Sequence, residues 1–279
     1  MWNTWRRLRR KGSGWLPISV LVLALPLALV AACGGDGSSA GDGTPAAAAP
    51  ETPSTAPGGT DAPDAAGPES SPPPSPSPSA GDGRPVVAFL GDSLTAGYGL
   101  PAGQAFPAVL EERLAERGLP IRAVNAGVSG DTSAGGLARL DWVLSAEPDV
   151  VVVELGPNDG LRGLDLAMTE GNLRSIVQRS RDAGARVLLV GMRIPPNYGP
   201  DYAGDFAALF PRLAEELDVP LVPFLLEGVG GEADLNQGDG IHPTAEGQRI
   251  LAVNVEPHLV PLVRAEWEER GGVPEEPAR

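Results

Sequence analysis

Five short apolar runs punctuate the later two thirds of the chain: Val86-Val87-Ala88-Phe89-Leu90, Ile121-Arg122-Ala123-Val124, Val150-Val151-Val152-Val153, Val187-Leu188-Leu189-Val190 and Pro220-Leu221-Val222-Pro223-Phe224. Each is short and apolar, and most are rich in β-branched residues, so each reads as a strand. Between them, apolar residues recur three and four positions apart, as at Phe106, Val109, Leu110 and Leu114, or at Leu173, Ile176 and Val177. That spacing lays one apolar face along a helix. Continuous apolar strands are buried on both faces, and strand–helix alternation joins parallel strands through crossovers. The pattern predicts an α/β fold, a three-layer α/β/α sandwich with about five parallel strands, over residues 85–267. In such sheets ligands bind beyond the carboxyl ends of the strands, so the residues that follow each run are where chemistry is sought.

The first 84 residues follow a different pattern. Arg6, Arg7, Arg9, Arg10 and Lys11 precede residues 15–32, which carry no charge. This reads as an export signal. An uncleaved membrane helix is the other reading of so long an apolar run, weakened by Pro17 and Pro26. The run ends Leu29-Val30-Ala31-Ala32-Cys33-Gly34, which resembles the lipobox of bacterial lipoproteins. The resemblance implies that Cys33 becomes the lipidated first residue of the mature chain. A lone cysteine is otherwise a small buried residue, but polar sequence follows Cys33 and offers it no core. Residues 34–84 hold 11 Pro, 10 Gly, 10 Ala and 8 Ser and no Val, Ile, Leu, Met, Phe, Trp or Tyr. Without large apolar side chains the cost of ordering cannot be offset, so residues 33–84 read as Cys33 followed by a disordered tether with a reach of roughly 40 Å. The Pro-rich stretch 71–78 is its stiffest part, and the alternative use of such a stretch is as a ligand for a partner domain. Residues 268–279 read as a disordered tail.

Composition narrows the chemistry. Gly (37) and Pro (30) are too frequent among 279 residues for one uniformly folded body. The formal charge of −15, near −20 once residues 1–32 are removed, and the low aromatic content argue against a nucleic-acid partner. One Cys and two His exclude a zinc cage of thiolates and imidazoles and any disulfide within the chain. Reactivity therefore rests on hydroxyls, carboxylates or one of two histidines.

Four loops carry candidates. Ser93, in Gly91-Asp92-Ser93-Leu94-Thr95, either caps a helix or acts as a nucleophile. The loop from Asn125 to Ser133, with Gly127 and Gly130, offers backbone N–H groups but lacks the Lys of a phosphate-binding P-loop. Gly156-Pro157-Asn158-Asp159-Gly160 reads as a tight turn, or as the mount for an amide donor at Asn158. Asp239 and His242 lie three residues apart, close enough for the acid to hold one ring nitrogen while the other faces a serine. His258 has no such acid and reads as a surface or helix-terminal residue.

Taken in order, Gly91-Asp92-Ser93-Leu94, Gly130, Gly156-Pro157-Asn158-Asp159 and Asp239-Gly240-Ile241-His242 resemble the four blocks of the SGNH, or GDSL-type, serine hydrolases. Further stretches, among them Asp159-Gly160-Leu161-Arg162-Gly163 and Ile194-Pro195-Pro196-Asn197-Tyr198-Gly199, are similar to the bacterial thioesterase, lysophospholipase and arylesterase branch of that family. The resemblance implies a flavodoxin-like sheet and a catalytic set of Ser93 as nucleophile, His242 as general base and Asp239 as its orienter. It also implies oxyanion donors at the Ser93 and Gly130 N–H groups and the Asn158 amide. No metal or cofactor is implied. Expected substrates are carboxylic esters, thioesters and lysophospholipids, with the acyl chain beside Ile194, Pro195 and Tyr198 in a loop whose other reading is a rigid Pro-rich connection. Sugar O-deacetylation is the rival enzymatic reading, and a non-catalytic surface lipoprotein the rival outside enzymes. The resemblance departs at Pro157, where a small residue is often seen, and in the added leader. An exported monomer is expected, held by Cys33 on the cell or outer membrane and facing the periplasm or exterior.

Overall fold

The computed structural model describes residues 83–272. The expected export signal, the lipidation of Cys33 and nearly all of the tether lie outside the described residues. Five strands, β1 Val86–Gly91, β2 Arg122–Gly127, β3 Val150–Glu154, β4 Arg186–Val190 and β5 Leu221–Val222, pair in parallel in the order β2-β1-β3-β4-β5. Ala88 in β1 sits opposite Val124 of β2 on one side and Val151 of β3 on the other.

The helices are α1 Ser93–Ala96, α2 Phe106–Glu116, α3 Ser133–Ala138, α4 Leu140–Leu144, α5 Pro157–Leu161, α6 Leu166–Asp182, α7 Pro200–Leu217 and α8 Ala245–Glu269. Helices α2 and α8 pack together and against β2, β4 and β5, while α3 packs on α6, and α6 and α7 pack together and against β3, β4 and β5. The result is the three-layer sandwich expected from the alternation of apolar runs. Every residue of β3 is buried, as a strand covered by helices on both faces must be. Ion pairs tie the first layer: buried Glu256 of α8 receives Arg113 of α2, at 2.6 Å, and Arg117, the residue that caps the end of α2.

Phe89 of β1, fully buried, meets Phe106 of α2 edge to face with ring centroids 5.7 Å apart. Phe89→Ala is expected to cost about 3–5 kcal/mol of stability, read as a lowered urea midpoint at an unchanged slope.

Four boundaries differ from the sequence reading. Strand β2 continues through Asn125 and Ala126 to Gly127, pairing with Phe89 to Gly91, so part of the expected Gly-rich loop is strand. Strand β5 is reduced to Leu221–Val222 because Pro220 and Pro223 have no N–H to give a ladder. At the end of the domain α8 runs to Glu269 rather than stopping at 267. It is held there by Trp267, whose indole donates to the Pro120 carbonyl at 3.2 Å, and by Arg186, which bonds Glu266 and Glu269. Arg84, assigned to the tether, donates to the Ile121 carbonyl at 3.0 Å.

Candidate active site

Successive connections leave β1 toward β2 and β3 toward β4, so the sheet reverses its winding between β1 and β3 and opens a crevice at their carboxyl ends. Ser93 stands there, directly after β1. Buried Asp92 caps α1 by accepting the Leu94 N–H at 2.9 Å, so the capping role belongs to Asp92 and leaves the half-buried Ser93 hydroxyl available. Helix α1 can sit this close to β2 only because residue 127 is glycine: a Cβ there would lie 2.3 Å from the Ala96 nitrogen.

The loop before α8 brings His242 to Ser93, with Nε2 3.0 Å from the serine Oγ. On its other side Nδ1 lies 2.7 Å from Asp239 Oδ2. Asp239 is itself fixed, since its Oδ1 accepts the N–H groups of Ile241 at 2.9 Å and His242 at 3.0 Å. The His242 N–H, then the imidazole and the Ile241 N–H, hold the Asp239 carboxyl well below the usual carboxylate range. Gln237 clamps the loop: its N–H donates to the His242 carbonyl at 2.7 Å, and its amide to the carbonyls of Tyr98 at 2.7 Å and Pro243 at 3.0 Å. The Tyr98 ring lies over the imidazole, with centroids 4.4 Å apart. His258 is half-buried in the middle of α8, inside the helix rather than at its end.

Two further loops face the same crevice. Gly130 has a φ of 80°, a left-handed conformation that costs other residues about 1–2 kcal/mol, and its carbonyl accepts from Arg162 at 2.8 Å. Asn158 lies in the first turn of α5, so the expected tight turn is the start of a helix, with Pro157 at the position a proline favours. The Asn158 amide spends its two protons on Asp92 Oδ2 and the Asp131 carbonyl, each at 3.0 Å. Arg139 staples the floor, reaching Asp131 at 2.6 Å and the carbonyls of Ala126 at 2.7 Å and Gly91 at 2.9 Å.

Beneath Ser93 lie two buried carboxyls. Glu154, the last residue of β3, accepts the Thr95 hydroxyl at 2.7 Å and the Asp92 N–H at 3.3 Å through one oxygen. Its other oxygen is buried without a hydrogen-bond partner. Burial pushes Glu154 well above its usual range, and the neighbouring Asp92 charge adds to this. Burial also raises Asp92, to about 6.

The expected acyl-side residues lie on the loop after β4. Ile194 is buried in the core and faces Gly160 of α5, where a Cβ would come within 2.8 Å of it, whereas Pro195 and Tyr198 are exposed. Tyr98, Arg139 and Glu154 were absent from the sequence expectation. A lone acid closing the apolar run 150–153 was the available signal for Glu154. Nothing local marks Arg139, whose partner Gly91 is 48 positions away.

Residues 89–250 match the model of the GDSL-like Lipase/Acylhydrolase family. The chain is 50% identical over 179 residues to Esterase TesA of Pseudomonas aeruginosa, covering 64% of this chain and 89% of that one. It is 46% identical over 179 residues to Thioesterase 1/protease 1/lysophospholipase L1 of Escherichia coli, covering 64% and 85%. A crystal structure of TesA superposes with a TM-score of 0.61 at 49% identity, covering 63% of this chain and 99% of that one.

Proposed function

Because the chain belongs to the GDSL-like lipase/acylhydrolase family and is an esterase-like hydrolase of the SGNH type, we propose that it cleaves carboxylic esters and thioesters through an acyl-enzyme on Ser93. The observation that carries this reading is the unbroken hydrogen-bond line from Ser93 through His242 to Asp239 at the crevice between β1 and β3. A free hydroxyl is a weak nucleophile. His242 Nε2 takes the Ser93 proton as Oγ attacks the substrate carbonyl carbon, and then returns it to the departing alkoxide or thiolate. Asp239 keeps Nδ1 protonated and offsets the imidazolium charge. Water attacks the acyl-enzyme by the same steps and releases the acid.

The developing oxyanion takes hydrogen bonds from the Ser93 and Gly130 N–H groups and from Asn158. For Asn158 this means that the proton now on the Asp131 carbonyl turns to the oxyanion, while the one on Asp92 stays and fixes the amide. The acyl chain lies along the loop after β4, over Pro195 and Tyr198 with Ile194 beneath. The names of the relatives favour aryl and alkyl esters, thioesters and lysophospholipids as substrate classes. A chain-length series of p-nitrophenyl esters and acyl thioesters, run beside acetyl-xylan with Ser93→Ala as control, tests the assignment. Turnover of acetyl-xylan alone would favour the sugar deacetylase, and no labelling by a fluorophosphonate probe would favour a binding protein.

Export and anchoring through Cys33 belong to the same proposal, supported by the cationic, apolar and small-residue order of residues 6–34. Metabolic labelling with a clickable palmitate is expected to tag the wild type and not Cys33→Ser. An unlabelled wild type would reject lipidation.

A further inference from the structure

Of the polar groups around the crevice, Glu154 is the one to which the proposed reaction gives no task. It closes β3 in register with Gly91, so it lies directly under the turn that carries Ser93. A side chain at position 91 would crowd it, since a Cβ there would be 2.7 Å from Glu154 Oε2. No cation pairs with Glu154 or with Asp92 among the ion pairs of the described residues. Two adjacent buried carboxyls cannot both carry charge cheaply, so one of them holds a proton. Glu154 is fully buried and the harder to ionise, and one of its oxygens already holds the Asp92 N–H at 3.3 Å. The proton therefore resides on Glu154, beside the Asp92 carboxylate. Asp92 has three tasks: it caps α1 through Oδ1, it holds the Asn158 amide through Oδ2, and it faces the neutral acid below.

We propose that Glu154 is a positioning residue, a neutral carboxylic acid that locks the Asp92 carboxylate in the orientation from which it holds Asn158 as an oxyanion donor. The inference rests on the esterase reading, because it assigns Asn158 to the oxyanion. Removing Glu154 frees Asp92 to rotate and loosens the amide, so its effect falls on the transition state and little on substrate binding. Glu154 touches neither substrate nor Ser93, and acts only through Asp92 and Asn158.

The test uses the full chain and a p-nitrophenyl ester, with kcat and KM measured separately and thermal unfolding followed in parallel. Glu154→Leu is expected to lower kcat about 10- to 100-fold with KM changed less than about threefold, a part of the roughly 10²–10³-fold that a whole oxyanion donor supplies. Its melting temperature is expected to fall, because the buried Thr95 hydroxyl and Asp92 N–H lose their acceptor. Glu154→Gln keeps a donor toward Asp92 and should recover most of the lost kcat. Asn158→Ala combined with Glu154→Leu should be no slower than Asn158→Ala alone, within about twofold. Full kcat in Glu154→Leu, additive losses in the double variant, or a loss carried mainly by KM would overturn the proposal. Should Glu154→Leu unfold, the comparison of Glu154→Gln with wild type and its cycle with Asn158→Ala decides the matter: loss as large as that of Asn158→Ala contradicts rescue. Full activity in Ser93→Ala, by contrast, would remove the esterase reading itself.

Discussion

Ser93→Ala and His242→Ala are each expected to lower kcat for p-nitrophenyl butyrate by about 10⁴–10⁶, while His258→Ala leaves it within about twofold. The size follows from the way the two groups act as one unit. Without the imidazole the hydroxyl at 3.0 Å keeps its proton, and without the hydroxyl the imidazole has only water to activate. For the same reason the double variant should be scarcely slower than either single one. What remains in all three is what binding and the oxyanion donors achieve without a nucleophile. Both single variants should fold normally: Ser93 is only half-buried and is not the cap of α1, and His242 is held by its backbone N–H and carbonyl as well as by its ring. A circular dichroism spectrum matching wild type would separate lost chemistry from lost structure. If His258→Ala were inactive and His242→Ala active, the histidine roles would be reversed. The position of His258 in the middle of α8 argues against that outcome.

The central sheet was legible because burial on both faces leaves a mark that needs no partner to be read. Val150 to Val153 and Val187 to Val190 are apolar at every position, and both runs emerged as strands. The mark fades where a strand meets the crevice. Asn125 and Gly127 continue β2, yet their composition is that of a turn: Asn125 bonds the Thr95 carbonyl, and Gly127 must be small to admit α1. At β5 the apolar signal survives but two prolines remove its donors, so hydrophobicity alone overstated the strand. Among the site residues, those in short ordered blocks could be found, because each block is a loop whose residues act near one another in sequence. The supports could be given no role in this way. Glu154 serves Asp92 from 62 positions away, Arg139 ties β1 to β2 across 48, and Gln237 reaches Tyr98 across 139. Their meaning exists only once the sheet has set its register. Residues that contact the reacting atoms were thus easier to read than residues that hold them in place.

Asp239→Asn is expected to lower kcat by about 10³. An amide can still accept the N–H groups of Ile241 and His242 through its oxygen, so the loop should survive the change. What it cannot do is hold Nδ1 in its protonated form and balance the charge that the ring gains as Ser93 attacks. Where such an acid is buried, the corresponding loss is about 10⁴. Here the Asp239 side chain is 40% exposed, water screens part of its charge, and the smaller figure follows. The pH profile separates this role from that of a group titrating in the working range. Hydrogen bonds to Asp239 favour its ionised form and hold its carboxyl below the usual range, so it stays charged throughout the acid limb of kcat/KM. The acid limb should therefore persist in Asp239→Asn. An acid limb that vanished with the substitution would make Asp239 the titrating group. Its three hydrogen bonds would then have failed to keep it ionised, and the orienting role assigned to it would not stand.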